Sequence, residues 1–343
     1  MTPSSGKKSY SLNAISSLLQ YGALTVFMLV SISLFIKMRG EEDYGVFVLI
    51  SIIGNLALYA NLGLNQSLIR YLALQGKGKT SQTDIGVNLT VIFIFSILFA
   101  ALTLLPGRYV VFELMDIPFA YAHEVMPLYQ ALCLANILLL TGQVFNAMLD
   151  AAHKIYVASI IQFVYSLFYY GGIVFCLVLG WGMGEMGAFM LIAAGIWFAL
   201  MASTALSYWG KPIFPESKEW KSYLKKHLSY GGKIYLSSLL NFGYEPLTKI
   251  LIGNLFSKEM VTVYDIALKI RGQLWGIIYK VLYPLFPLFS EEKRAETTAK
   301  YLALSQRMVY LILIPIAIGV IMGTHLVITD FLHVKNPVAD SSV

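Results

Sequence analysis

The stretch SLNAISSLLQYGALTVFMLVSISLFI, residues 11–36, decides what kind of fold the chain can adopt. At about 1.5 Å per helical residue, a run of this length crosses a hydrocarbon layer of roughly 30 Å. Lys7 and Lys8 precede it, as basic residues precede a secretory signal, but the apolar core is too long for one and no small-residue cleavage site leads into polar sequence. It reads as a retained transmembrane helix.

Outward from this segment, similar apolar runs recur along the chain and leave no room for a soluble domain. Of 343 residues, 57% are hydrophobic and 13% charged, and the mean hydropathy is +0.68, whereas about a quarter of an average soluble domain is charged. The expected fold is an all-α polytopic membrane protein of about nine transmembrane helices, over residues 11–36, 44–63, 85–106, 125–149, 156–179, 186–208, 230–255, 260–289 and 301–328. The pI near 9.0 does not argue for nucleic acid, because the basic residues are spread over the loops between spans. Cys133 and Cys176 fall inside apolar runs without metal-ligand spacing and read as small membrane-buried residues. No catalytic group, metal or cofactor is expected.

Loop charge orients the bundle, since Lys and Arg are retained on the cytoplasmic side. The N-terminus and every second loop together hold 15 Lys and Arg residues, six of them between Lys211 and Lys233, while the alternate loops hold five: Lys37, Arg39, Arg108, Lys258 and Lys335. The N-terminus is therefore predicted to be cytoplasmic. The longest basic stretch separates six spans from three, which suggests a six-helix lobe over 1–210, a basic cytoplasmic linker over 211–228 and a partial second lobe of three helices over 229–343. A shift of 217 residues lays KMRGEEDYGVFVLI (37–50) over NLFSKEMVTVYDIA (254–267), pairing Glu42 with Glu259 and Val46 with Val263. Both are tight hairpins joining the first two spans of a half, as in a parallel repeat.

GEEDYGVFVLIS (40–51), NLGLNQSLIRYLA (61–73), KEMVTVYDIALKI (258–270) and VLYPLFPLFS (281–290) give the chain its family character. In these patterns it resembles the polysaccharide-transport flippases, the Wzx-type O-antigen exporters and their relatives in the multidrug/oligosaccharidyl-lipid/polysaccharide superfamily. The resemblance runs from about Asn13 to Gly323. It implies two six-helix lobes around a central cavity in the bacterial inner membrane. There a polyprenyl-pyrophosphate-linked oligosaccharide would be moved by alternating access for O-antigen, lipopolysaccharide, capsule or exopolysaccharide synthesis. Membrane lipids and other glycan-assembly proteins are the further partners implied. Measured against twelve spans, this sequence reads as a C-terminally truncated member.

YDIALKIRGQLWGIIYK (264–280) adds a physical reason for such a cargo. Charges at bilayer depth are costly and need partners or water. At about 100° per residue, Asp265, Lys269, Gly272, Gly276 and Lys280 share one helix face, and Arg271 points away from it. The preceding span brings Glu245, Pro246 and Lys249. Depth matching predicts cross-hairpin pairs of Glu245 with Lys269 and Lys249 with Asp265, while i,i+4 spacing offers Glu245 with Lys249 and Asp265 with Lys269. Arg271 and Lys280 find no carboxylate at their depth, so the cluster has a cationic excess suited to pyrophosphate oxygens.

The candidate substrate-binding residues are accordingly Arg70, Lys249, Lys269, Arg271 and Lys280, with Glu245 and Asp265 as ion-pair or coupling groups. Lys280 is equally placed to snorkel, and Arg70 to anchor at the interface. Asn13, Gln20, Tyr21, Asn61, Asn65 and Gln66 offer neutral hydrogen-bonding groups, for a sugar or between helices. Gly272 and Gly276 form a GxxxG suited to close helix packing. Pro246, Pro284 and Pro287 mark kinks or hinges.

Three other classes compete. A drug/cation antiporter of the same superfamily would want net negative charge in its cavity. A membrane enzyme would want a reactive constellation, whereas His123, His153, His227, His325 and His333 lie scattered at loops and span edges. A non-transporting scaffold would need neither.

Overall fold

Backbone inside hydrocarbon must satisfy its own hydrogen bonds, so long apolar segments fold as helices. The computed structural model describes residues 3–59 and 63–282, with a few helical positions between 306 and 318. Its elements are α1 (Pro3–Arg39), α2 (Glu41–Tyr59), α3 (Leu64–Gln75), α4 (Lys79–Leu104), α5 (Gly107–Tyr109), a π-helical turn (Val110–Leu114), a 3₁₀ turn (Phe119–Tyr121), α6 (Ala122–Ala151), α7 (Ile155–Val178), α8 (Met183–Trp209), α9 (Ser217–Leu255) and α10 (Lys258–Leu282).

α6 is the hub of the bundle, packed against α8, α4, α2 and α3, while α7 joins α1 to α8. Among the described residues, five helical segments are long and apolar enough to cross a membrane by length and composition: Tyr21–Arg39, Lys79–Leu104, Phe119–Ala151, Ile155–Val178 and Met183–Trp209. α2, α9 and α10 carry more charge: Glu41, Glu42 and Asp43 open α2, and the ionic cluster lies on the other two. Exposed large apolar side chains such as Phe93, Ile97, Leu98 and Leu102 on α4 and Ile160, Leu167 and Phe175 on α7 form a face suited to acyl chains. Both cysteines are buried.

α9 and α10 lean on this bundle through α2 and α3. One close approach is at Gly45, where a Cβ would stand 2.0 Å from the Lys258 carbonyl oxygen. Thr262 Oγ1 donates to the Glu41 carbonyl at 2.7 Å across the same contact. α2 begins at Glu41 and α10 at Lys258, which is the offset of 217 seen in the sequence. Of the GxxxG pair, Gly276 meets α1, where a Cβ would stand 1.8 Å from the Tyr21 hydroxyl oxygen, and that hydroxyl donates to the Gly272 carbonyl at 2.9 Å.

Two boundaries differ from the sequence reading. α2 is described as far as Tyr59, and from Leu64 to Gln75 the chain forms an amphipathic helix whose Leu64, Leu68 and Leu72 are buried. Gly63 makes the turn into it at φ 69°, with α9 so close that a Cβ would stand 2.1 Å from the Gly231 carbonyl oxygen. Within residues 211–228, expected as linker, α9 has already begun at Ser217. Its 39 residues extend about 58 Å, well beyond a hydrocarbon layer. The basic residues Lys218, Lys221, Lys225 and Lys226 therefore occupy the polar end of a helix that continues into the bundle. The end of the eighth span, Pro284 and Pro287, and the ninth span apart from its few helical positions lie outside the described residues.

Candidate functional site

Asp265 is the centre of the charged cluster. It sits about two turns into α10 with its side chain 3% exposed. Lys249 of α9 reaches Oδ1 at 2.6 Å, and Lys269, one turn along α10, reaches Oδ2 at 2.7 Å. Tyr44 of α2 donates its hydroxyl to Oδ2 at 3.2 Å and accepts from Lys269 Nζ at 2.7 Å. One carboxylate thus holds two ammonium groups, which leaves this group of residues with a net positive charge.

The cross-hairpin pair of Lys249 with Asp265 and the i,i+4 pair of Asp265 with Lys269 form as the spacing predicts. Glu245 does not take Lys269. It pairs with Arg271, which corrects the expectation that Arg271 lacks a carboxylate. Lys269 is already satisfied by Asp265 and Tyr44, and the longer guanidinium reaches back across the hairpin to Glu245. Arg70 stands apart: it is exposed on α3, its guanidinium 4.5 Å from the centre of the Tyr230 ring. Lys280 lies on α10, but its side chain is outside the described residues, as are those of Asn13, Gln20 and Asn61.

Beside the cluster is a cavity of about 770 Å³, within the size range of small-ligand sites. Glu245, Pro246, Lys249, Asp265 and Lys269 form one wall. Gln143, Asn146 and Asp150 of α6, Gln162, Tyr165 and Tyr169 of α7, and Asn65 and Gln66 of α3 also line the cavity. Of these, Asn65 and Gln66 were singled out from the sequence. The signal for the rest was present, since 143/146/150 and 162/165/169 both follow i, i+3, i+7, a polar stripe on an apolar helix. The lining from α6 also supplies a carboxylate, Asp150, so the cationic excess read from α9 and α10 alone belongs to the Asp265 cluster and not to the whole cavity.

A second buried carboxylate lies off the cavity. Asp84 of α4 is 0% exposed and is gripped by Lys226 Nζ at 2.7 Å and His227 Nε2 at 3.0 Å, both from α9. His227 Nδ1 meets Ser67 Oγ of α3 at 2.9 Å. His227, read from the sequence as a loop or edge residue, is 1% exposed. Serine, imidazole and carboxylate are in series here, yet all three are sealed from solvent and no reactant reaches the hydroxyl. The arrangement ties α9 to α3 and α4. At the other end of the bundle, Arg39 clamps Asp43 at 2.9 Å and Glu124 at 2.7 Å, and the Met183 backbone N–H donates to Glu124 at 3.0 Å.

A helical bundle with a lipid-facing apolar surface and ionised groups turned to an internal cavity is a membrane transporter in design. Residues 38–334 match the family described as "Polysaccharide biosynthesis protein", and the chain belongs to that family. No curated protein matches the sequence closely enough to count as a relative.

Among solved structures, the fold is similar to an inward-facing multidrug resistance MATE family transporter of the MOP superfamily, with a TM-score of 0.70 at 16% identity over 93% of this chain and 75% of that one. It is equally similar to an outward-facing conformation of such a transporter, with a TM-score of 0.71 at 14% identity over 95% and 74% of the two chains. A third match, at TM-score 0.67, 14% identity and 95% and 74% coverage, is a MOP superfamily transporter from Pyrococcus furiosus whose reported pocket has reversed polarity. The fold is the one seen in these MATE transporters.

Proposed function

We propose that the protein is a flippase that carries a polyprenyl-pyrophosphate-linked oligosaccharide across the bacterial inner membrane by alternating access, with its N-terminus cytoplasmic, for synthesis of a surface polysaccharide. The observation that carries this reading is the pair of ammonium groups, Lys249 and Lys269, sharing the one carboxylate of Asp265 at the wall of a cavity. Two cations on one anion retain attraction for a further anion, and a pyrophosphate offers charge and several acceptor oxygens. Family membership supports a role in polysaccharide synthesis. Arg271 and Arg70 are assigned subsidiary contacts with the head group, with Lys280 included on the sequence pattern alone.

Binding of inorganic pyrophosphate to the purified full chain tests the reading. Saturable binding that weakens in Lys269→Met is expected, together with reduced surface glycan in cells depending on that variant. Unchanged binding and unchanged glycan would overturn it.

Asp150 and Glu245 on the cavity walls, with the likeness to multidrug transporters, favour a second reading as a cation antiporter. Tight binding of a lipophilic cation such as tetraphenylphosphonium, with none of pyrophosphate, would select that reading.

A further inference from the structure

Two ammonium groups at one end of the bundle share a single aromatic ring. Lys77 Nζ stands 3.6 Å and Lys154 Nζ 4.2 Å from the centre of the Tyr208 ring. The two charges therefore lie within about 8 Å of each other and repel. A tyrosine ring at an exposed site holds a cation only weakly. Among the described residues, neither ammonium group takes part in an ion pair or a side-chain hydrogen bond. Lys226 has Asp84 as its counter-charge, whereas this pair has none.

The three side chains come from separate segments that the fold ties together. Lys77 lies between Gly76 and Gly78 in the turn from α3 to α4, where the Gly76 N–H donates to the Leu72 carbonyl at 3.0 Å. Lys154 leads into α7, its N–H donating to the Leu149 carbonyl at 2.9 Å. Tyr208 is in the last turn of α8. There Trp209 Nε1 donates to the Met148 carbonyl of α6 at 2.7 Å, and Gln82 Nε2 of α4 donates to the Trp209 carbonyl at 3.3 Å. Packing of α4, α6 and α8 thus sets the places from which both lysines reach the ring.

Helix lengths give the depth. α4, of 26 residues, begins just after Lys77, and α8, of 27 residues, ends just after Tyr208. Helices of about 40 Å run past a hydrocarbon layer of roughly 30 Å into the headgroup zone. The same segments expose apolar side chains: Leu74 before Lys77, Ile160 after Lys154, and Ile213 and Phe214 after Tyr208. Paired cations without a counter-charge, at headgroup depth and with apolar surface on the same segments, complement a lipid phosphate with its acyl chains.

We infer that Lys77, Lys154 and Tyr208 form a site for the phosphate of an anionic phospholipid such as phosphatidylglycerol. The Tyr208 ring gathers the two ammonium groups, and these bond the phosphate oxygens. A bound lipid then joins the turn between α3 and α4 to the start of α7. None of the three residues lines the cavity, and the inference requires only that the chain lies in a bilayer, whatever its cargo.

Native mass spectrometry of the full chain in detergent, titrated with phosphatidylglycerol, tests the site. One lipid should bind more tightly than the rest. Lys77→Gln and Lys154→Gln should each weaken that lipid about fivefold, and Lys77→Arg, which keeps the charge, should restore it. Lys221→Gln, which removes an exposed lysine of α9 outside the site, should leave the affinity within about twofold. Glycerol 1-phosphate, which has the phosphate without the chains, should not displace the lipid at equal concentration.

The tight lipid retained in a variant lacking both lysines, an equal loss in Lys221→Gln, or no recovery in Lys77→Arg would overturn the site. Displacement by glycerol 1-phosphate would overturn the lipid as its occupant in favour of a soluble phosphate ester.

Discussion

Asp84 and Asp265 are built alike and placed differently. Each is a buried carboxylate gripped by two basic side chains, and in each case α9 supplies at least one of them. Around Asp84 the imidazole is 1% exposed, Lys226 keeps 25% of its side chain exposed with its ammonium 4.1 Å from the centre of the Tyr71 ring, and none of the three groups lines the cavity. Around Asp265, Lys269 keeps 32% of its side chain exposed and both lysines face the cavity. A buried ion pair therefore says little about function by itself. What separates the two clusters is whether their cations face the cavity.

The largest expected effect is that of Asp84→Ala. Removing the carboxylate strands Lys226 and His227, a loss of about 3–5 kcal/mol for a broken buried pair. It should lower the melting temperature of the purified protein and its amount in the membrane, while the folded fraction still binds pyrophosphate. An unchanged melting temperature would show that the contact fastens nothing.

Lys269→Met comes next, because Asp265 keeps Lys249 and Tyr44 and the fold should survive. Loss of one charge-assisted contact of about 1.5–3 kcal/mol should weaken pyrophosphate at least tenfold. The matched change Lys226→Met, away from the cavity, should leave that affinity within about twofold. Equal losses in the two variants would erase the distinction between the clusters.

Gly45→Ala tests the contact between α2 and α10 that brings Tyr44 to Asp265. With Lys258 backbone in the way, it should cost about 1–3 kcal/mol in thermal unfolding. Tyr44→Phe is the mildest, about 0.5–1.5 kcal/mol for one hydrogen bond, and should register as a small thermal shift.

The apolar runs made the membrane helices legible in the sequence because bilayer thickness imposes a length that few other constraints mimic. The offset of 217 was legible for a similar reason, since matching hairpins have matching ends. α3 was hidden because its leucines continue the apolar pattern of α2. Depth counting placed Lys249 against Asp265 but gave Glu245 the wrong partner, because side-chain reach and competition for Asp265 do not appear in a count of turns. The contact of Asp84 with His227 joins residues 143 apart, and no local pattern announces it. The amide stripes of α6 and α7 were present as periodicity, but polar residues without charge drew less weight than lysines.

α9 is a single rod that holds His227 near one end and Lys249 near the other, with Pro246 between them. A proline within a helix removes one backbone hydrogen bond and makes that turn the softest point of the shaft. From Pro246 to His227 is about 28 Å of helix, so a swing of only 10° about that joint displaces the imidazole by about 5 Å. That is more than the reach of its hydrogen bonds. A bend of α9 at Pro246 would therefore carry His227 off Asp84 while leaving Lys249 close to the joint.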